Sequence, residues 1–160
     1  MFKGTIRELR EEDAEQVQKI FEQYWTDEGF LEKLKNRLKQ FVEHSPEILE
    51  QDYKYFVAEE NREVVGIGVT RKAPDKMKKY ATTDSPVELY VLASKYKRRG
   101  IGTALFSRFL EEIKNTYMEA IFYSPESHKE SWNFHDQTGF ERVGPTEVDG
   151  EPGCVWRKIL

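Results

Sequence analysis

The sequence predicts a mixed α/β or α+β fold, one sheet with helices on its faces, and three observations carry that prediction. Apolar residues recur at three- and four-residue steps in some stretches and alternate in others. The two kinds follow one another as strand, two helices, three strands, helix, strand, helix, two strands. Neither internal repeats nor low-complexity tracts break this order, and a chain of 160 residues suits one domain, residues 1–160, with one continuous core.

Residues 5–9 form the first strand candidate. Asp13 with Gln16 three residues on has the spacing of a capping box, opening a helix that runs to about Trp25 and turns Ala14, Val17, Ile20, Phe21 and Tyr24 to a core. After a break over residues 26–29, Phe30, Leu31, Leu34, Leu38, Phe41 and Val42 repeat the pattern until Ser45-Pro46 ends it. Alternation at Tyr53, Tyr55 and Val57, the polar turn Glu60-Asn61-Arg62 and an apolar return over residues 64–70 predict a hairpin. A lysine-rich loop (residues 71–79) leads to a strand at 87–92, and a basic, glycine-containing turn opens a helix over about 100–116. The remainder reads as a strand at 118–123, a helix at 128–138, and strands at 140–143 and 154–159 joined by a loop at 145–152.

Composition narrows the function classes. A hydrophobic share of 38% with 34% charged residues fits a globular chain with a solvated surface. The formal net charge of -4 argues against a nucleic-acid partner bound through the whole surface, although the lysine-rich stretches leave salt-sensitive nucleic-acid binding as a third reading to be tested. The start MFKGTIREL lacks the apolar stretch of a signal peptide, and every apolar run is shorter than a membrane span, so a cytoplasmic protein is expected. Cys154 alone forms no internal disulfide, and His44, His128 and His135 lack HExxH spacing, so no metal is indicated.

The stretch VELYVLASKYKRRGIGTALFSRFLEEIK, residues 87–114, carries the chemistry. A strand runs into a turn containing Lys95, Lys97, Arg98, Arg99, Gly100, Ile101 and Gly102, and the turn opens an amphipathic helix. Gly100 and Gly102 leave room for backbone to approach a ligand, the first-turn amides are unpaired donors, and the cations add charge-assisted contacts, so the arrangement can cradle an anion. GxG before a helix also describes an ordinary relieved turn with solvated lysines and arginines. Leu105 occupies the third glycine position of a dinucleotide fingerprint, and no GK[ST] is present for a P-loop.

LYVLASKYKRRGIGTAL resembles the GNAT superfamily pattern of a strand ending LYV, a short linker, then Arg/Gln-x-x-Gly-x-Gly/Ala. TIRELREEDAEQVQKIF is similar to that family's opening strand and helix, YFVAEENREVVGIGVT to its central hairpin, and SWNFHDQTGFERVG to its closing FYxKxGF segment. The resemblance implies a mixed, mostly antiparallel seven-stranded sheet flanked by about four helices. It implies an N-acetyltransferase with acetyl-CoA as co-substrate, an amine acceptor that is a small molecule or a peptide, and compatibility with a homodimer.

Carried over residue by residue, the pyrophosphate turn is Lys97, Arg98, Arg99, Gly100, Ile101, Gly102 and Thr103, with Lys97 replacing the usual Arg or Gln. Leu92 and Ala93 then lie near the pantetheine channel, and a main-chain amide at about Val91 stabilises the oxyanion. Phe134 and His128 fall beside the cofactor, His128 standing near the place of a common asparagine. His135 replaces the tyrosine that is the usual candidate acid; it either protonates the departing thiolate or packs beside CoA. Glu88, with Tyr90 one pleat on, is the candidate base, or else a solvated or paired strand residue. Trp25, Asp27, Glu28 and Phe30 sit where related enzymes build the acceptor site. Lys72, Lys76, Lys78 and Lys79 either reach the outer phosphate of CoA or form a solvated loop, and Cys154 reads as a small core residue, which favours direct attack over an acetyl-enzyme. The alternative function is a non-catalytic acetyl-CoA-binding regulatory module that has lost its acid and base.

Overall fold

A computed structural model describes residues 1–160. Its elements are β1 (Thr5–Glu8), α1 (Ala14–Tyr24), α2 (Glu28–Val42), α3 (Pro46–Glu50), β2 (Lys54–Glu60), β3 (Glu63–Lys72), α4 (Asp75–Lys78), β4 (Val87–Ser94), α5 (Ile101–Ile113), β5 (Glu119–Pro125), α6 (Trp132–Asp136), β6 (Glu141–Val148) and β7 (Glu151–Ile159). The seven strands form one mixed sheet in the order β1-β2-β3-β4-β5-β7-β6. β1 with β2, β2 with β3, β5 with β7 and β6 with β7 pair antiparallel, while β4 and β5 run parallel. There are six helices rather than about four because short α3 and α4 punctuate connections that read as loops. α2 ends at Val42 with His44 in the left-handed region (φ 56°), ahead of the predicted Ser45-Pro46 stop, and Pro46 starts α3, where its fixed φ and missing N–H suit a first helical position.

Two compact units make up the chain, the first comprising Met1–Arg71 and Val91–Glu111. Here the Asp13–Gln16 capping box does not form. The Asp13 carboxylate accepts both Arg7 guanidinium nitrogens at 2.7 and 2.9 Å and the Arg10 N–H at 2.7 Å, and Gln16 Oε1 accepts the Val64 N–H at 3.1 Å. Asp13 is buried, and a charged fork satisfies a buried carboxylate better than one cap bond does. α1 and α2 bury Val17, Ile20, Phe21, Leu34 and Leu38 as their periodicity predicts. Asp27 caps α2 through the Gly29 N–H at 3.0 Å, so the break between these helices is shorter than the predicted residues 26–29.

The β2–β3 hairpin turns on Asn61 and Arg62, both in the left-handed region (φ 54° and 64°), as a tight two-residue connection requires. α5 lies on β3 where β3 has no side chains. A Cβ on Gly66 would stand 2.6 Å from Ile101 Cγ2, and one on Gly68 would stand 2.0 Å from Phe109 Cζ.

The second unit comprises Lys72–Tyr90 and Glu112–Leu160. The predicted lysine loop is partly ordered as α4, because Met77 packs with Ala73, Ile121 and Val155 in a buried cluster. The expected loop at 145–152 is mostly strand: β6 and β7 meet at Asp149-Gly150, both with positive φ (53° and 81°). Its prolines do not break the ladder. Pro145 sits on the edge strand β6, and Pro152 lies beyond Gly153, the last residue of β7 paired with β5. The helix expected at 128–138 is a 3-10 turn (Glu126–Ser131) followed by α6, with His128 off helical geometry (φ -111°, ψ 29°).

Candidate functional site

The turn between β4 and α5, in the first unit, is built from both flanks. β4 ends at Ser94, whose hydroxyl donates to the Tyr96 carbonyl at 3.1 Å, and the Lys95 N–H donates to the Val65 carbonyl at 2.7 Å. Gln23 Nε2 donates to the Lys95 carbonyl at 3.1 Å, and the Phe2 N–H donates to the Arg99 carbonyl at 2.5 Å. Between these ties the backbone takes positive φ at Arg98 (60°) and Gly100 (81°). The Gly100 carbonyl then accepts the Ala104 N–H at 3.0 Å, opening α5, so the amides of Ile101, Gly102 and Thr103 precede the first intrahelical bond. Ile101 is buried and anchors the helix, whereas Lys97, Arg98, Arg99 and Thr103 are exposed. Val91 and Ala93 are buried, with Leu92 half-buried between them.

The four cations differ in employment. Lys95 Nζ lies 2.7 Å from Glu63 Oε2, Tyr96 donates its hydroxyl to Glu63 Oε1 at 3.0 Å, and the Arg99 guanidinium stands 4.7 Å from the Tyr96 ring centroid. Hydrogen bonds from Lys95 and then Tyr96 hold the Glu63 carboxyl below its usual range. Lys97 and Arg98 remain as cations facing solvent.

In the same unit Trp25 contacts Phe30 with ring centroids 5.8 Å apart and Tyr24 at 5.3 Å, forming an aromatic group at the α1–α2 junction. Asp27 serves as the α2 cap, and Glu28, the first residue of α2, is exposed.

In the second unit Glu88 is buried on β4 and Tyr90 is half-buried. The parallel register joins Val87 to Ala120 and Glu88 to Ile121. His135 on α6 lies in an aromatic setting, 4.8 Å from the Phe122 ring, 5.0 Å from Trp156 and 5.7 Å from Phe134. Its Nε2 is 3.3 Å from Ser131 Oγ, and its Nδ1 is buried without a hydrogen-bond partner. Burial, against the opposing pull of Asp136, pushes its pKa down to about 4, so the ring is neutral at neutral pH. His128 is half-buried, and its carbonyl accepts the Ser131 hydroxyl at 2.8 Å. Lys76 pairs with Asp149 at 2.5 Å, Lys78 with Asp75 at 3.4 Å, and Lys79 stands over the Tyr80 ring. Lys72, Lys76, Lys78 and Lys79 are all exposed. Cys154 is buried, and burial raises its thiol pKa.

A family profile describing an acetyltransferase (GNAT) domain matches residues 8–153. The chain belongs to the GNAT acetyltransferase family. It is thus an acyltransferase, and solved structures repeat the fold. A protein assigned to the GNAT family from Desulfovibrio desulfuricans superposes with a TM-score of 0.80 at 14% identity, over 98% of this chain and 99% of that one. The PaiA N-acetyltransferase of Thermoplasma acidophilum, in complex with coenzyme A, gives 0.68 at 17% identity over 99% of each chain. An N-acetyltransferase of Staphylococcus aureus gives 0.74 at 15% identity over 98% of each. No curated protein matches the sequence. No helix is long and apolar enough to cross a membrane.

Sequence reasoning named this turn but missed its contact with Glu63. Glu63 lies 32 positions from Lys95, and no short-range spacing links a carboxylate at a hairpin end to a lysine that far along the chain.

Proposed function

We propose that the chain binds acetyl-CoA through residues 97–103 and transfers the acetyl group to a primary amine by direct attack in a ternary complex. The observation that carries this reading is the α5 N-terminus, preceded by Gly100 in the left-handed region and flanked by exposed Lys97 and Arg98. Unpaired first-turn amides with a favourable dipole suit a pyrophosphate. The PaiA neighbour, which holds coenzyme A on the same fold, supports this assignment.

For transfer, the amine nitrogen attacks the thioester carbonyl carbon, a C–N bond forms, and negative charge gathers on the carbonyl oxygen. The Val91 amide is the proposed donor to that oxygen. The C–S bond then breaks, CoA leaving as a thiolate that takes a proton from solvent, and the nitrogen loses a proton. Glu88, directly or through water, is the proposed acceptor of that proton, with Tyr90 the nearby hydroxyl on the same side of β4. Leu92 and Ala93 are assigned to the pantetheine arm, and His128 and Phe134 to the cofactor's flank. A neutral, half-buried His135 is a weak source of protons at neutral pH, which favours a packing role over a general-acid role. The Trp25–Phe30 group with Asp27 and Glu28 is assigned to the acceptor, where carboxylates beside aromatic rings suit a cationic amine.

Calorimetric titration with acetyl-CoA, and with CoA, NADH and ATP as controls, tests the reading on the native chain and on Gly100→Asp. Selective binding of acetyl-CoA and CoA that the substitution abolishes, followed by CoA release with at least one amine, is the expected result. Absence of acetyl-CoA binding by the native chain overturns it. Tight binding without turnover on any amine would instead favour the non-catalytic module.

A further inference from the structure

Glu63 stands at the start of β3, outside the anion turn, yet both of its carboxylate oxygens are spent on that turn. Oε2 meets Lys95 Nζ at 2.7 Å and Oε1 accepts the Tyr96 hydroxyl at 3.0 Å. Two residues along β3, the Val65 carbonyl takes the Lys95 N–H at 2.7 Å, so β3 holds Lys95 through both its backbone and the Glu63 side chain, and Tyr96 through the Glu63 side chain. Tyr96 passes the grip forward, since the Arg99 guanidinium lies over its ring immediately before Gly100. The segment between Tyr96 and Gly100 includes Arg98 in the left-handed region, a conformation that a non-glycine residue holds only when its surroundings impose it.

We infer that Glu63 is a positioning residue for the acetyl-CoA turn. It neutralises Lys95, fixes Tyr96 and thereby sets the backbone of residues 97–102 before the anion arrives, leaving Lys97 and Arg98 to supply the charge. This inference rests on the acetyl-CoA reading above and assigns the turn's cations distinct duties: Lys95 and Arg99 hold the protein's own structure, and Lys97 and Arg98 face the ligand. A preset turn binds more tightly because less ordering remains for the ligand to impose.

The test uses the full chain with Glu63→Ala, Glu63→Gln and Tyr96→Phe. In ligand-free protein, amide hydrogen exchange over residues 97–102 should quicken in Glu63→Ala while exchange in α1 stays at the native rate. The Kd for acetyl-CoA should rise about fivefold in Glu63→Ala, the scale set by an exposed ion pair with one added hydrogen bond. The effect should appear in KM, with kcat at saturating acetyl-CoA within about twofold of native. Glu63→Gln, which keeps an acceptor for Tyr96 but not the charge, should fall between native and Glu63→Ala, and Tyr96→Phe should reproduce part of the loss.

Native exchange rates over residues 97–102 in Glu63→Ala would overturn the inference, as would an unchanged Kd despite faster exchange. Failure of the native chain to bind acetyl-CoA would remove the proposed function, and the exchange measurement, needing no ligand, would still decide whether Glu63 holds the turn.

Discussion

His135 meets Trp156 edge-on, with ring centroids 5.0 Å apart and an interplanar angle of 62°. Trp156 is fully buried, stacks on Phe122 with centroids 5.2 Å apart, and donates its indole N–H to Asp136 at 2.9 Å. An imidazolium in this setting would lose its hydration, which explains the drop of the His135 pKa from 6.5 to about 4. The unfolded chain takes up this proton at higher pH than the folded chain does. The stability conferred by neutral His135 is therefore complete above pH 6.5 and is lost as the pH falls toward 4. Proton NMR of the His135 ring should give a titration midpoint near 4, and turnover should show no inflection near 6.5 that His135→Phe removes. A ring midpoint near 6.5 would contradict this account and restore His135 as a candidate acid.

Gly68→Ala tests the contact between β3 and α5. The added methyl would stand 2.0 Å from Phe109 Cζ and 2.5 Å from Phe109 Cε1, and Phe109 is itself fully buried. The helix must shift or the ring leave its rotamer, at a cost of about 1–3 kcal/mol. Thermal or urea unfolding should register the loss. Because α5 carries the anion turn at its N-terminus, weaker acetyl-CoA binding should accompany it.

Glu119, fully buried at the start of β5, holds the connection between α4 and β4. Its carboxylate accepts the N–H and hydroxyl of Thr82 and of Thr83, all within 2.9–3.1 Å. Burial pushes its pKa up, but the bonds from Thr83 and Thr82 outweigh burial and leave it below the usual 4.5. The stability it confers is present above pH 4.5 and is lost as the pH falls through the lowered folded value. Glu119→Ala should cost about 2 kcal/mol and speed exchange of the Thr82 and Thr83 amides. Native exchange rates at those two positions would show that the carboxylate does not hold them.

The element order was legible because periodicity reports burial, and burial decides most of this fold. Val17, Ile20, Phe21, Leu34, Leu38, Leu105 and Phe109 are core residues on the helices their spacing predicts. What the sequence hid depends on distant partners. Asp13 has the spacing of a cap, but Arg7 and Arg10 claim its carboxylate. Pro145 and Pro152 read as loop residues because local rules do not show that one falls on an edge strand and the other beyond the last β5 pairing. The turn that opens α5 was legible because its glycines and cations lie within a few residues of each other. The contact with Glu63 was not, because its hydrogen bonds join the start of β3 to the segment after β4, 32 positions along the chain.

Cys154 offers a direct test of whether an acetyl-enzyme forms. An acetyl group could pass through this residue only as a thioester on Sγ, which requires an accessible thiolate. Cys154 is 3% exposed on β7, its backbone set between Ser124 of β5 and Pro145 of β6, and burial pushes its thiol pKa up. At neutral pH the sulfur is therefore protonated and enclosed. An aromatic disulfide reagent should leave native Cys154 unmodified and react with it only after denaturation. Cys154→Ala should retain turnover within about threefold, losing about 1 kcal/mol of stability to the small cavity. A thousandfold fall in kcat with unchanged acetyl-CoA affinity, together with recovery of an acetylated Cys154 peptide from native protein, would replace direct attack with a two-step transfer.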